Sequence, residues 1–326
     1  MAAAEEPDGT ASLQVPKRLL DAVSDDPAEP VRSWLAALPQ LAARRLREWE
    51  LTPERVVTPG GRGGLVVLVR QADGTPAALK LPVPGPRAAH EAAALAHWNG
   101  WGAARLLRTG RSDGALLIER LQSAVSLRSL PEAKALLEAA GTVRRLWVPP
   151  PDAGAGSPDS VDSPGSPDSL DSVEQRTGEA AEVLPVLASG AWAADVRPLA
   201  DEALELRSGL TAQPPERLLL HGDFRQGKVL AGERTPWLTV GPVPVVGERA
   251  YDLARLVLDR CEDLAAGPGP AAAARRRIAK LADSLDVDRE RLRGWTLFRA
   301  VEAGLRYGAA GDRRRAELLL EFAGWL

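Results

Sequence analysis

The stretch Leu218–Val257, LLLHGDFRQGKVLAGERTPWLTVGPVPVVGERAYDLARLV, decides the fold of this 326-residue chain. The apolar run RLLLHGD (217–223) ends on a histidine, a glycine and an aspartate. The loop FRQGKVLAGERT follows, then a second strand-like run, PWLTVGP (236–242). Apolar residues at 3–4 spacing then predict a helix over 251–264. Asp223 therefore sits just past a strand. A carboxylate there either caps a turn or orients a hydroxyl and accepts its proton.

Upstream of this stretch the pattern is different. Amphipathic helices are predicted over 16–23 and 31–49, where leucines, valines and tryptophans recur at 3–4 spacing. The glycine-rich TPGGRGG leads into LVVLVR (65–70), and Asp73-Gly74 separates that run from AALKLP (77–82) as a hairpin turn. A helix over 87–98 follows, opened by Pro84 and Pro86 and closed near Gly100. Residues 104–121 read as two more strands around Ser112–Gly114, and 131–147 as helix. Downstream of 264, helices are predicted over 271–285, 289–307 and 312–326. The order is a small β-rich part followed by a larger α-rich part, an α+β chain of two lobes.

The composition breaks twice. Residues 1–13 are small and polar and read as a disordered tail. Residues 148–176 carry the imperfect repeat SPDSVDS and SPDSLDS, acidic and too poor in apolar groups to order themselves, and read as a disordered insertion. These breaks predict an N-lobe over 14–121 and a C-lobe over 122–147 and 177–326.

Charge and composition exclude several classes. A net charge of −3 argues against bulk attraction to nucleic acid or anionic membrane. The arginine clusters at 275–277 and 313–315 lack the interleaved aromatics of a nucleic-acid platform. One cysteine, Cys261, excludes a disulfide framework, and three histidines are too scattered for a metal cluster. With no signal-peptide pattern and no apolar run of membrane length, a soluble cytoplasmic protein is expected. Of 41 basic residues five are lysines (Lys17, Lys80, Lys134, Lys228 and Lys280) and 36 are arginines. Arginine is the default cation here, so each lysine carries more information.

The pattern HGD, a polar residue five positions later, a second strand, and GERAYDLA resembles the aminoglycoside phosphotransferases, most closely the streptomycin 6-kinase and hydroxyurea-kinase branch. ADGTPAALKL (72–81), HEAAAL (90–95), LLIERL (116–121) and DRERLRGW (288–295) support the likeness. The resemblance implies a protein-kinase-like two-lobed fold and ATP-dependent phosphorylation of a hydroxyl on a small-molecule antibiotic. It implies Asp223 as catalytic residue. Lys80 becomes the ammonium that meets the α- and β-phosphates, and Glu91 the carboxylate that orients it. Glu119 lies in the hinge segment that meets adenine, and Gly60, Gly61, Gly63 and Gly64 form a turn suited to covering phosphates. Asp252 is implied to be structural.

Two positions depart from the family. Five residues after Asp223 the family has an asparagine ligand to magnesium; this chain has Lys228. Before the proline of the second strand the family has an aspartate ligand; this chain has Gly241. Magnesium needs hard oxygen donors, and Gly241 has no side-chain oxygen. Two like unit charges ~4 Å apart repel by about 4 kcal/mol at an effective dielectric near 20, and a divalent ion doubles that. No metal-ligand residues are therefore assigned, and magnesium binding is disfavoured. Lys228 is open to three readings: an ion pair with Asp223, a tethered cation facing phosphate, or drift. Two functions compete, a pseudokinase that binds ligands or a protein partner, and a working phosphotransferase with altered metal use. The acceptor is a small molecule of unread identity. Residues 264–326 carry 12 basic against eight acidic residues, which does not suit a polycation.

Overall fold

The computed structural model describes residues 14–24, 28–110, 112–151 and 170–326. The predicted tail, 1–13, and residues 152–169 of the predicted insertion lie outside them. Helices α1 (Lys17–Val23) and α2 (Glu29–Glu48) lead into strands β1 (Thr52–Val56), β2 (Gly64–Arg70) and β3 (Pro76–Pro82). Helix α3 (Pro86–Trp98) follows, then β4 (Leu106–Thr109) and β5 (Leu116–Glu119). These five strands form one antiparallel sheet in the order β1-β2-β3-β5-β4.

The sheet is covered on both faces, so its central strands read as continuous apolar runs and not as strict alternation. Leu65, Val67 and Val69 of β2, Ala77, Leu79 and Leu81 of β3, and Leu117 of β5 pack with Leu19, Val23, Trp34 and Leu38 of α1 and α2. Leu68, Ala78, Leu116 and Ile118 point the other way and join Leu95 and Trp98 of α3. Side chains alternate along a strand, so Lys80 falls on the α3 face. Its β3 position pairs with Val66 and Leu116.

The second lobe opens with β6 (Gln122–Ser126) and α4 (Glu132–Val143), and continues through α5 (Val173–Ala188) and α6 (Arg197–Ala212). Strand β7 (Leu218–Leu220) pairs with β10 (Val245–Gly247), while β8 (Val229–Ala231) pairs with β6 and with β9 (Trp237–Thr239). Helices α7 (Arg249–Val257), α8 (Cys261–Ala265), α9 (Pro270–Leu285), α10 (Arg289–Ala309) and α11 (Arg313–Gly324) close the lobe. Buried Trp295 of α10 donates its indole N–H to Glu248 Oε1 at 2.7 Å, and Arg291 pairs with the same carboxylate at 2.6 Å. No helix among the described residues is long and apolar enough to cross a membrane.

Both ends of the predicted insertion are tied into the fold. Val148 accepts a hydrogen bond from Leu219 N at 2.8 Å, and Leu170 packs on the core. Ser172 caps α5, its hydroxyl accepting from Gln175 N while the Gln175 side chain accepts from Ser172 N. That reciprocal cap orders residues 170–176 despite their polar composition. Asp259, predicted on a helix with Glu262 and Asp263, lies instead in the turn between α7 and α8.

Candidate functional site

The turn after β7 displays Asp223. Gly222 has φ +76°, and a Cβ there would lie 1.9 Å from Val243 O, so only glycine fits. Asp252, fully buried on α7, accepts from His221 N at 2.9 Å, Gly222 N at 2.8 Å and the Trp147 indole at 3.3 Å. Burial pushes the Asp252 pKa up, and the two amides hold it down in part. Arg299 stacks on the Tyr251 ring at 4.4 Å and donates to Gly222 O at 2.9 Å. His221 is buried, and burial, followed by the nearby Lys228 charge, lowers its pKa to about 3. Its Nδ1 accepts from Asp223 N at 3.3 Å, which leaves the proton on Nε2, 3.3 Å from Val240 O. The turn is thus fixed from three sides.

The carboxylate it displays is already engaged. Lys228 Nζ lies 2.6 Å from Asp223 Oδ2, Arg225 Nε 3.4 Å from the same oxygen, and Arg255 Nε 2.9 Å from Oδ1. Lys228 Nζ also donates to Gly241 O at 2.6 Å. Burial pushes the Asp223 pKa up, but the three cations outweigh it and hold the group far below the usual carboxylate range. Burial pushes the Lys228 pKa down, and Asp223 offsets this in part. A general base works best with a pKa near the operating pH; Asp223 lies far from that and has cations on both oxygens.

These residues do not fit magnesium. The two positions that would supply oxygens hold an ammonium and a glycine, and the ammonium bridges Asp223 to the Gly241 carbonyl. Among the described residues no group of three His, Cys, Asp or Glu side chains could hold a metal ion. Gly241 has φ +61°, and a Cβ there would approach Lys228 Nζ only to 3.9 Å. Space is therefore not what excludes an aspartate at this position.

Across the cleft, Lys80 Nζ meets Glu91 Oε1 at 2.7 Å and Oε2 at 2.5 Å. The pair forms because β3 turns Lys80 toward α3, where Glu91 shares a buried face with Ala94, Leu95 and Trp98. Lys80 is within electrostatic reach of Lys228, so the two informative lysines converge on one cleft. In the glycine-rich turn, Gly64 has a structural reason of its own: a Cβ there would lie 2.5 Å from Leu81 O.

Glu119, read from the resemblance as a hinge residue, has its side chain engaged within the protein. Its carboxylate is held by Arg234 at 3.0 Å and by Arg105 N at 3.0 Å, and its N–H donates to Arg105 O. The side chain ties the hinge to the β8–β9 turn. Arg225 and Arg255 were missed, because arginine is everywhere in this sequence. The usable signal was the i, i+3 spacing of Asp252 and Arg255, which places both on one face of α7.

The profile of the family described as aminoglycoside/hydroxyurea antibiotic resistance kinase matches residues 48–311. The chain is 33% identical to a streptomycin 6-kinase of Streptomyces glaucescens over 90% of both chains. It is 35% identical to a hydroxyurea phosphotransferase of Kitasatospora aureofaciens over 90% of this chain and 79% of that one. Among solved structures it is similar to an aminoglycoside phosphotransferase in complex with ADP and hygromycin B, with TM-score 0.58, 16% identity, and 86% and 96% of the two chains covered. A spectinomycin phosphotransferase in complex with ADP and spectinomycin gives TM-score 0.58 at 13% identity, covering 88% and 98%. The fold is the protein-kinase-like one.

Proposed function

Because the chain belongs to the aminoglycoside/hydroxyurea antibiotic resistance kinase family, we propose that it is a nucleotide-binding pseudokinase, which takes ATP into the cleft without a divalent metal and carries out little or no phosphoryl transfer. The observation that carries this reading is the Lys228 ammonium, seated between Asp223 Oδ2 and Gly241 O at 2.6 Å from each. Nucleotide binding is supported by the intact Lys80–Glu91 pair and by the solved relatives that hold ADP. Loss of transfer is supported by what the reaction needs. Phosphoryl transfer relies on positioning and on cations that neutralise the migrating phosphate, with a carboxylate free to orient the acceptor hydroxyl. Here the carboxylate is ion-paired, and one tethered charge stands where the family uses a divalent ion.

The relatives' identity supports a second reading: phosphorylation of an alcohol group on a streptomycin-like antibiotic, with altered metal use. One assay separates them. The purified chain is incubated with ATP and streptomycin or hydroxyurea, with and without Mg²⁺ or Mn²⁺, and ADP and phosphorylated product are measured. No metal-dependent turnover is expected. Robust turnover that disappears in Asp223→Ala would establish the second reading instead.

A further inference from the structure

Lys80 and Lys228 stand in different lobes, yet one hydrogen-bonded frame joins them. Lys80 lies on β3, which pairs with β5 from Lys80–Leu116 to Ala77–Glu119. Glu119, the last residue of β5, meets Arg234 on the turn between β8 and β9. Arg234 Nη2 donates to Glu119 Oε2 at 3.0 Å, and Arg234 Nε to Oε1 at 3.3 Å. Strands β8 and β9 run back from that turn in register, Ala231 opposite Trp237 and Val229 opposite Thr239. Lys228 and Gly241 stand at the other end of this hairpin. There Val240 N and Thr239 Oγ1 both donate to Lys228 O, at 2.9 and 3.1 Å. Three strand residues span about 10 Å, so the paired strands link the tip of the hairpin rigidly to the Lys228 backbone.

Arg234 also reaches a second segment of the N-lobe. Its Nη2 donates to Ala103 O at 3.3 Å. Residues 102–104 lie along β9, where Thr239 N donates to Gly102 O and Ala104 N to Thr239 O, each at 2.9 Å. Buried Ala104 packs there with Leu121 and Leu238. The end of α3 is held as well, because the Trp98 indole donates to Leu146 O at 2.8 Å. Residues 98–104 are thus one attachment between the lobes and Glu119 is another, and Arg234 bridges the two. Gly100, with φ +83°, leaves room for the bridge: a Cβ there would lie 3.1 Å from Arg234 Nη2 and 2.6 Å from Arg105 Cγ. Glu119 is oriented from its own side by Arg105 N, which donates to Oε2 at 3.0 Å. Lobes attached at one segment can rock about it. A planar guanidinium fork that joins two attachments resists that motion.

We infer that Arg234 is a positioning residue for the nucleotide: by bridging Glu119 and Ala103 it sets the spacing of Lys80 and Lys228 before ATP arrives, and ATP enters a cleft that does not close on it. Two-lobed kinases commonly close around their ligand by hinge motion. A site already held in its bound geometry avoids that ordering cost. The inference rests on the reading of the cleft as one that takes ATP without a divalent metal, and it adds what holds the cleft.

Spin labels on Ala72→Cys, in the β2–β3 turn, and Ala272→Cys, on α9, report the distance between the lobes in the full chain. Both positions are exposed, and the single native cysteine, Cys261, is buried. Double electron–electron resonance is recorded with and without saturating metal-free ATP, in the native background and in Arg234→Ala. The native background should give one narrow distance that ATP leaves unchanged. Arg234→Ala should give a broadened distribution that ATP narrows. Its metal-free ATP affinity, read by calorimetry on unlabelled protein, should fall by about threefold or more while the far-UV spectrum is kept. Glu119→Gln should act in the same direction, and the double variant should be no worse than Arg234→Ala alone. A pair with a merely structural role would lower Tm and move neither the distance nor the affinity. A native distance that shortens with ATP overturns the inference. So does an Arg234→Ala distribution as narrow as the native one, or an unchanged affinity. Metal-dependent turnover would remove the pseudokinase reading but leave the label distances in place, so the two failures are distinguishable.

Discussion

The cleft contains two lysine–carboxylate pairs of nearly the same geometry and opposite consequence. In the N-lobe, Lys80 meets Glu91 at 2.5 Å; in the C-lobe, Lys228 meets Asp223 at 2.6 Å. Glu91 sits on a helix and orients a lysine that the family also has. Lys228 sits where the family has a metal ligand, and it turns a carboxylate that should be free into the centre of an ion cluster. On the proposed reading, the first pair prepares a cation for phosphate, and the second consumes a carboxylate and occupies a metal position. The same chemistry is supportive or obstructive according to which partner was meant to stay available.

The largest effect that sharpens this contrast is on stability. Asp223→Ala leaves Lys228, Arg225 and Arg255 without their anion, and breaking a buried pair by removing one partner costs about 3 kcal/mol. Urea denaturation of the two proteins should show that loss. A residue poised only for chemistry would show little or none.

The histidine beneath the same carboxylate gives the next effect. His221 has a folded pKa of about 3, below its ordinary value. The unfolded chain therefore binds its proton first, and stability falls as pH drops through the ordinary histidine range. Between pH 7 and pH 5 that loss is about 2 kcal/mol from this group. Comparing denaturation at both pH values with His221→Asn, which has no such proton, should show a flatter dependence in the variant.

On the other side of the cleft, Lys80→Ala removes a charged hydrogen-bond donor, worth about 2 kcal/mol or roughly thirtyfold in metal-free ATP affinity. Isothermal titration reads this directly. Unchanged affinity would mean that the N-lobe pair is structural too, and the contrast between the pairs would vanish. The contrast can also be reversed. Lys228→Asn with Gly241→Asp removes the tethered ammonium and returns two oxygen donors. Added Mg²⁺ should then tighten ATP binding by about tenfold, ~1.4 kcal/mol. Aspartate tolerates the left-handed backbone of position 241 better than most residues.

Much of this architecture was legible in the residues. The Asp73-Gly74 turn, the face of β3 that carries Lys80, and the long helices of the C-lobe all follow from period and punctuation. Strands β8 and β10 did not, because three residues are too few to show a period. Nor did β1, where Pro53 and charged neighbours show no strand pattern; only an edge strand accommodates them. In the site, lysine scarcity and motif spacing picked out Lys80, Asp223, Lys228 and Gly241. Where Lys228 Nζ points was not readable, since a four-carbon stem reaches either the carboxylate or an open cleft. Arg225 carried no signal against the arginine background, and Arg255 carried only its i, i+3 spacing from Asp252. The tie of the Glu119 side chain to Arg234 was not readable either, because a hinge is recognised by its backbone and leaves little side-chain signature.

On the proposed reading, Lys228 stands in the place of the metal. Its most direct test is an ATP titration of the native protein by calorimetry, with and without Mg²⁺. Measurable binding is expected, with an affinity that does not rise when Mg²⁺ is added. Tightening by about tenfold or more, ~1.4 kcal/mol, would contradict it.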